Sequence, residues 1–226
     1  MDKNNMDFET LQHFMTDAFT AIGVPADEAA IVADVLVESD KRGINSHGVN
    51  RFKPVYIDRI NAGIQFPTTN FEILKETETT AVVDGHHGMG QVIGQRSMQM
   101  AIDKAKKYGL GMVAVRNSCH YGIAGYYATQ ATKQGCIGIT GTNARPSVAP
   151  TFGVEGMFGT NPLTVGIPTD EEFDVLKSAL VNAAKDGAVS LDKVQYLNSQ
   201  FQKSMNGEQI NPKTWDEICN IVRNYK

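Results

Sequence analysis

One short segment combines an imidazole with a guanidinium at helical spacing. His47 and Arg51 stand four residues apart, so on a helix both side chains would project from one face near its start. A guanidinium disfavours protonation of a neighbouring imidazole, and an anion placed between the two groups would balance them. The pair therefore predicts a carboxylate site, with two hydrogen bonds from Arg51 and one from His47. The alternative is a solvated helix face that Ser46 caps.

A second histidine occupies a position that suits proton transfer. His120 lies between a predicted strand that ends at Val115 and a predicted helix that begins near Tyr121. Ligands of α/β proteins gather where strands end and helices begin, and an imidazole exchanges protons near neutral pH. His120 is therefore a candidate acid or base. The alternative is a core histidine whose ring nitrogens bond to the backbone.

A glycine-rich loop offers a competing interpretation. Gly88, Gly90 and Gly94 follow a predicted strand and come within one residue of the Rossmann dinucleotide fingerprint. The next strand, however, ends at Arg116 and not at the acidic residue that would bind a ribose. A Rossmann nucleotide site thus stays open only as an alternative.

Three further patterns in the sequence are weaker indications of chemistry. Cys119 beside His120 suggests a thiol nucleophile, but neighbours in sequence rarely point at each other at such a turn. The pair at 86–87 could join His120 at a metal, yet no further ligand stands at the required spacing, so no metal site is predicted. The polar residues at 142–143 and 159–162 could bind a ligand's amide or hydroxyl groups, or form ordinary turns.

The elements that must position these residues begin with three helices. Apolar spacing and end signals predict a helix from Asp7 to Gly23 and another from Pro25 to Gly43. A third runs from Ser46, as its cap, towards Ala62, and Pro54 should kink it.

The pattern then changes to alternating strands and helices. Strands are predicted at 71–74, 81–83, 112–115, 136–140 and 163–167, and helices at 91–107 and 121–133. Strand, helix and strand over 112–140 predict a βαβ unit. From Val175 onward the chain reads as polar helix, with Trp215, Ile218 and Val222 on one helix face.

These patterns predict an α/β protein in three parts. Residues 1–66 form a helical domain, residues 67–174 a mixed-sheet domain and residues 175–226 a helical tail. Of the 21 glycines, 15 lie in residues 81–168, which carry a net charge of +4. Close backbone approach and local positive charge suit an anionic ligand.

The composition excludes several classes of protein. Of 226 residues, 42% are hydrophobic and 20% charged, which indicates a folded chain. No stretch is apolar enough to cross a membrane, and the first five residues lack the pattern of a signal peptide. A net charge of −4 argues against a nucleic-acid partner. Three cysteines without framework spacing favour the cytoplasm.

Taken together, the motifs resemble the malate/L-lactate dehydrogenase family of the second type, within residues 7–174. The matching segments, in family order, are 42–51, 84–94, 117–127, 142–143 and 159–162. The resemblance implies an oxidoreductase that uses NAD or NADP, a dinucleotide-binding fold distinct from Rossmann, and a homodimer. It implies a small 2-hydroxy or 2-keto acid, such as malate or lactate, as the substrate. The active site would lie in a cleft between the helical domain and the sheet domain.

The resemblance also implies a role for each matching residue. His120 would be the acid or base at the substrate oxygen, Ser46 and His47 a relay or orienting pair, and Arg51 the ligand of the substrate carboxylate. The expected cofactor-binding residues are Tyr121, Gly122, Ile123, Ala124, Thr142, Asn143, Thr160, Asn161 and Pro162.

The match ends near Asp174. Family members continue there with a strand that ends in Asp-x-Ala-Thr/Ser and with the rest of the nucleotide-binding domain, whereas this chain has the unmatched residues 175–180. We therefore expect a chain that is truncated relative to the family. The alternative function is a non-catalytic remnant that acts as a folded binding or oligomerisation module.

Overall fold

The computed structural model describes residues 6–168 and, beyond them, residues 187, 190, 192–193, 196–197, 199–200 and 211–225. The chain divides into two compact units, residues 1–168 and 169–226. In the second unit, helix α6 (Pro212–Tyr225) buries Ile218, as predicted. The structure does not describe the side chains of Trp215 and Val222, and it does not describe residues 175–186.

The first two helices form where their end signals predict them. Helix α1 (Phe8–Ala21) begins after Asp7, whose carboxylate accepts a hydrogen bond of 2.8 Å from the backbone N–H of Thr10. Helix α2 (Ala26–Lys41) follows Pro25. The two helices pack through a shared core that includes Met15, Phe19, Val32 and Leu36, all fully buried.

The third helical segment departs from the predicted α-helix. Two 3₁₀ turns (Asn45–His47 and Val49–Arg51) lead into a π-helix (Phe52–Ile57), and one α-helical turn, α3 (Asp58–Asn61), completes it. Pro54 lies inside the π-helix, where its missing N–H and its ring prevent regular α-helical bonding. The segment is thus irregular at Pro54, the residue at which a kink is predicted.

The prediction that Ser46 caps this segment is wrong. Ser46 lies within the first 3₁₀ turn, and its hydroxyl bonds to the ring of His47. The carboxylate of Asp40 takes the capping role instead, because it accepts a hydrogen bond of 2.8 Å from the backbone N–H of Val49. Ser46 is therefore free to interact with His47.

A three-stranded mixed sheet carries the glycine loop. Strand β2 (Thr80–Asp84) pairs antiparallel with β1 (Glu72–Glu76) and parallel with β3 (Met112–Arg116). The crossover between β2 and β3 is helix α4 (Gly90–Tyr108), which ends at Gly109 with a left-handed φ of 85°. The βαβ unit of this protein is therefore β2–α4–β3.

The buried carboxylate of Asp84 fastens the end of β2 to the end of β3. It accepts hydrogen bonds from the backbone N–H of His86 (2.9 Å), from Nε of Arg116 (2.7 Å) and from Nδ2 of Asn117 (2.9 Å). These bonds, the one from His86 first, lower the pKa of Asp84 to about 2. These hydrogen bonds fix the end of β3, after which the segment that carries His120 begins.

The predicted βαβ unit over 112–140 is wrong. Helix α5 (Ala124–Thr132) begins later than expected, and β4 (Gly138–Gly141) pairs antiparallel with β5 (Leu163–Gly166) in a separate two-stranded sheet. The reason is that α5 packs on β4 and β5, whereas α4 packs on β2 and β3. Residues 143–162 form a long irregular connection between β4 and β5, with one isolated bridge between Val148 and Phe158.

Neither a membrane-spanning helix nor a disulfide bond occurs among the residues that the structure describes. Among the described residues, no helix combines the length and the apolar character that a membrane span requires. All three cysteines (Cys119, Cys136 and Cys219) are free thiols.

Candidate active site

A cleft of about 1530 Å³ runs between the π-helical segment, the start of α4 and the strands β3 and β4. Of the residues expected at an active site, those that line this cleft are His47, Arg51, His120, Tyr121, Gly122, Thr142, Asn143 and Thr160. Five others do not line it: Ser46, Ile123, Ala124, Asn161 and Pro162. The structure thus brings the two histidines and the arginine to one place.

The imidazole rings of His47 and His120 stack against each other. Their centroids lie 5.6 Å apart and their planes differ by 22°. On the His120 ring, Nδ1 lies 2.6 Å from the hydroxyl of Tyr56 and 3.3 Å from the backbone nitrogen of Gly122. Nε2 of His120 has no hydrogen-bond partner among the described residues, so it is the nitrogen available to a ligand.

His120 is held in its neutral form. Burial lowers its pKa to about 4, and the nearby positive charges of His47, Arg51 and Arg59 act in the same direction. At neutral pH the ring therefore carries no charge, and an anionic ligand would reverse part of this shift. A neutral imidazole beside unneutralised guanidinium groups is poised to take up a proton when a carboxylate binds.

A chain of contacts connects Ser46, His47 and Arg51. The Ser46 hydroxyl lies 2.8 Å from Nδ1 of His47, and Nε of Arg51 donates a hydrogen bond of 2.5 Å to the Ser46 carbonyl. Burial, followed by the charge of Arg51, lowers the pKa of His47. Ser46 therefore orients the His47 ring from behind, although its side chain does not reach the cleft.

Three residues in or beside this site were not predicted from the sequence. Tyr56 is fully buried, and its hydroxyl contacts His120. Arg59 lines the cleft without an ion pair or side-chain hydrogen bond among the described residues. Gln91 is fully buried beside this site in the first turn of α4.

A signal for Arg59 was present in the spacing. His47, Arg51, Val55 and Arg59 all line the cleft and recur every four residues. Extending the helical spacing of the first pair through the π-helix would have found Arg59.

Two glycines in the first turns of α4 serve protein packing. A Cβ on Gly90 would lie 2.3 Å from the Cys119 carbonyl oxygen and 2.4 Å from that of His120. A Cβ on Gly94 would lie 2.8 Å from the Tyr127 ring. The backbone of residues 119–120 thus covers the start of α4, where a Rossmann fold would hold a pyrophosphate.

The second imidazole pair does not extend the site. His86 binds Glu72 at 2.6 Å, and neither His86 nor His87 lines the cleft. Within the described parts of the chain, no three His, Cys, Asp or Glu side chains form a group that could hold a metal ion.

The polar groups along the cleft fit a nicotinamide dinucleotide. The Tyr121 hydroxyl is buried and has no hydrogen-bond partner among the described residues. The side chains of Thr142, Asn143 and Thr160 offer hydroxyl and amide groups, and Arg145 offers a positive charge. Such a set suits the hydroxyl, amide and phosphate groups of the cofactor.

Comparisons with known proteins agree with this geometry. A family model described as malate/L-lactate dehydrogenase matches residues 6–187, past the point where the recognisable motifs end. The malate dehydrogenase of Pyrococcus abyssi is 43% identical over 205 residues, which are 91% of this chain and 55% of the relative. The L-sulfolactate dehydrogenase of Methanocaldococcus jannaschii is 46% identical over 78% of this chain and 51% of its own length.

A solved structure supports the same conclusion. The malate dehydrogenase of Entamoeba histolytica superposes with a TM-score of 0.72 at 54% identity, over 75% of this chain and 47% of that protein. The chain spans about half the length of the relatives it matches. From the extent of the family match, the α/β fold and the convergence of the matching motifs, we conclude that this chain belongs to the malate/L-lactate dehydrogenase family.

Proposed function

We propose that this protein is an oxidoreductase that transfers a hydride between NAD or NADP and a small 2-hydroxy or 2-keto acid. The observation that carries the proposal is the convergence of His47, Arg51 and His120 in one cleft. The relatives of this chain include a malate dehydrogenase and an L-sulfolactate dehydrogenase, and both malate and sulfolactate are 2-hydroxy acids.

In this proposal His120 exchanges the proton. Reduction of a 2-keto acid develops negative charge on the carbonyl oxygen, and a proton donor placed there stabilises that charge. Nε2 of His120 is free to donate this proton, and in the reverse direction it accepts the proton of the hydroxyl. Burial, followed by the charges of His47, Arg51 and Arg59, disfavours the protonated ring while no anion is bound.

Arg51 holds the carboxylate next to the reacting carbon. Its guanidinium lines the cleft, and its bond to the Ser46 carbonyl leaves the remaining N–H groups for a ligand. The nicotinamide cofactor, when bound, supplies or accepts the hydride. Tyr121, Thr142, Asn143 and Thr160 would hold it through their hydroxyl and amide groups.

Arg59 favours a substrate with a second acidic group. It lines the same cleft as Arg51, and no carboxylate among the described residues neutralises either guanidinium. Two uncompensated positive charges in one cleft attract a dianion more strongly than a monoanion. We therefore favour malate or sulfolactate over lactate as the substrate.

The remaining parts of the proposal concern assembly and location. Large apolar side chains are exposed on the second sheet and on the connection between its two strands: Ile139, Phe152, Val154 and Leu163. These exposed groups support a homodimer, because monomers rarely leave such patches uncovered. The three free thiols support a reducing, cytoplasmic location.

An absorbance assay tests the activity. The purified chain is mixed with NADH or NADPH and with oxaloacetate, sulfopyruvate or pyruvate, and loss of the reduced cofactor is followed. Flat traces with every pair, from a chain that melts cooperatively, would refute the proposal. If calorimetry then also showed no heat of binding with either cofactor, the interpretation as a non-catalytic binding or oligomerisation module would be favoured.

A further inference from the structure

The two ring nitrogens of His120 differ in what they contact. Nδ1 lies 2.6 Å from the hydroxyl of Tyr56 and 3.3 Å from the backbone nitrogen of Gly122, whereas Nε2 has no hydrogen-bond partner in the part of the chain that the structure describes. A neutral imidazole carries one proton, and the hydrogen bonds at one nitrogen decide which nitrogen holds it. The contacts at Nδ1 therefore determine what His120 offers to the cleft.

The contact with Gly122 fixes the direction of hydrogen bonding at Nδ1. A backbone N–H can only donate, so the bond from Gly122 requires a lone pair on Nδ1. Gly122 is held in place, because it has a left-handed φ of 79° and packs so closely on α2 that a Cβ would lie 2.6 Å from Cγ1 of Val35. A proton on Nδ1 would bring two donors face to face. The neutral ring therefore carries its proton on Nε2.

The hydroxyl of Tyr56 donates to the same nitrogen. Tyr56 is fully buried, and Nδ1 of His120 is the acceptor for its proton among the described residues. If Tyr56 accepted a bond from the ring instead, its own proton would be buried without a partner, which is costly. Burial raises the pKa of this phenol, whereas the Gln91 carboxamide acts in the opposite direction, as an N–H group that faces the phenol oxygen does. The phenol thus keeps its proton at neutral pH and directs it at His120.

We propose that Tyr56 is a positioning residue that, together with the Gly122 N–H, holds His120 in the tautomer protonated on Nε2. His120 then presents an N–H donor to the cleft before any ligand is bound. The carbonyl oxygen of a 2-keto acid can accept this hydrogen bond on binding, and the bond strengthens as negative charge develops on that oxygen. Tyr56 does not line the cleft, so it acts only through His120.

The same tautomer is unsuited to a 2-hydroxy acid. To accept the proton of the substrate hydroxyl, His120 needs a lone pair on Nε2, and its own proton must then lie on Nδ1. In that position the proton would face the Gly122 N–H and the hydroxyl proton of Tyr56. The resting site is therefore set to receive the 2-keto acid, an inference that rests on the proposed function for the identity of the ligand.

Charge repulsion alone does not produce this arrangement. The charged or titratable groups that act on the ring, besides the phenol, are His47 and Arg51 from the 3₁₀ turns and Arg59 from α3. After burial, these charges disfavour a second proton on His120. They explain why the ring is neutral, but they do not specify which nitrogen carries the remaining proton. The hydrogen bonds at Nδ1 do.

Nitrogen NMR on the full chain tests the tautomer without requiring turnover. Correlations between the carbon-bound ring protons and the two nitrogens show which nitrogen of the neutral ring is protonated, and the signals of His120 are identified by their loss in His120→Gln. At neutral pH we expect the proton on Nε2 alone, whereas an unconstrained imidazole exchanges between both tautomers. A proton on Nδ1, or a mixture of the two tautomers, would overturn the proposal.

Tyr56→Phe tests the role of the hydroxyl, because it keeps the buried ring. The bond from Tyr56 stabilises only the neutral form of His120, so its loss should raise the pKa of His120 by about one unit. A hydroxyl that accepted a bond from the charged ring would have the opposite effect when removed, and so would a general loss of polarity behind the ring. An unchanged or lower pKa in a cooperatively folded Tyr56→Phe chain would contradict the proposal.

Tyr126→Phe is the matched control. It removes a hydroxyl that donates at 2.7 Å to Asp34 on α2 and not to His120, so the pKa of His120 should stay unchanged. An equal rise in both variants would show that the effect is not specific to Tyr56, and the proposal would fail. The expected tautomer and pKa shift in a chain that oxidises no NADH would uphold the role of Tyr56 and refute the proposed function.

Discussion

The rings of His47 and His120 lie nearly parallel with their centroids 5.6 Å apart, so neither can be protonated without raising the cost for the other. Arg51 adds to this cost at both rings. The cleft is consequently positive through its guanidinium groups but neutral at its imidazoles. The guanidinium groups therefore attract an acidic ligand, and an imidazole can take up a proton once that ligand is bound.

The first prediction concerns His120→Gln. Loss of the proton donor should lower kcat by about 10²- to 10⁴-fold, with a small change in KM, because binding of the carboxylate depends on Arg51. Steady-state oxidation of NADH with oxaloacetate measures both constants. His13→Gln, a replacement at an exposed histidine of α1, is the matched control. Equal activity of the two variants would exclude His120 as the acid.

The second prediction concerns stability and pH. The folded-state pKa of His120 is about 4, below the ordinary 6.5 of the unfolded chain, so the unfolded state binds more protons between these values. The free energy of unfolding should therefore rise from pH 4 to pH 6.5 and level off above it. His47 contributes with the same sign, since its pKa is also lowered.

Urea unfolding at several pH values measures this dependence. The contribution of His120 is at most about 3 kcal/mol over the window, and it should disappear in His120→Gln. A variant with the same slope as the parent chain would show that His120 is not held neutral by its surroundings.

Much of the fold follows from local sequence signals. Asp7, Pro25 and the glycine after each helix mark the ends of α1, α2 and α4, because caps and left-handed turns act over a few residues. Strand pairing, in contrast, is not determined by signals within a few residues. The segments at 112–115 and 136–140 were correctly placed as strands, yet they joined different sheets, since pairing depends on partners far along the chain.

In the candidate site, too, local sequence signals predict some features, whereas others depend on residues far apart in the chain. The spacing of His47 and Arg51 predicts that they share a face, but no periodicity brings His120 to them; that expectation came from the family resemblance. Tyr56 belongs to an apolar stripe with Val49, Phe52 and Ile60, and this spacing predicts only that it can face the core. A π-helix surrounds Pro54, and its turn is wider than that of an α-helix. The contact between the Tyr56 hydroxyl and His120 therefore does not follow from an α-helical pattern.

The third prediction separates the two arginines of the cleft. Arg51→Gln should raise KM for oxaloacetate and pyruvate alike, because both carry the carboxylate next to the reacting carbon. Arg59→Gln should raise KM for oxaloacetate about ten- to hundredfold and leave that for pyruvate nearly unchanged, as it removes only the contact to the second acid. Lys75→Gln, at an exposed cation of β1, controls for net charge. A parallel loss with both substrates in Arg59→Gln would contradict the preference for dianions.

The fourth prediction concerns the close packing of α4 against the segment that carries His120. In Gly90→Ala the added Cβ would meet the Cys119 and His120 carbonyl oxygens at 2.3 and 2.4 Å. Backbone atoms cannot rotate away, so the loop or the helix must shift. We expect a loss of about 1–3 kcal/mol in the free energy of unfolding, and a fall in kcat because His120 moves with its backbone.

Gly125→Ala is the matched control on α5, since its nearest contact would be an ordinary 3.5 Å to Arg42, and alanine favours a helix. Urea unfolding and NADH oxidation measure the two effects. If Gly90→Ala proved as stable and as active as Gly125→Ala, the start of α4 would not be what holds His120 in place.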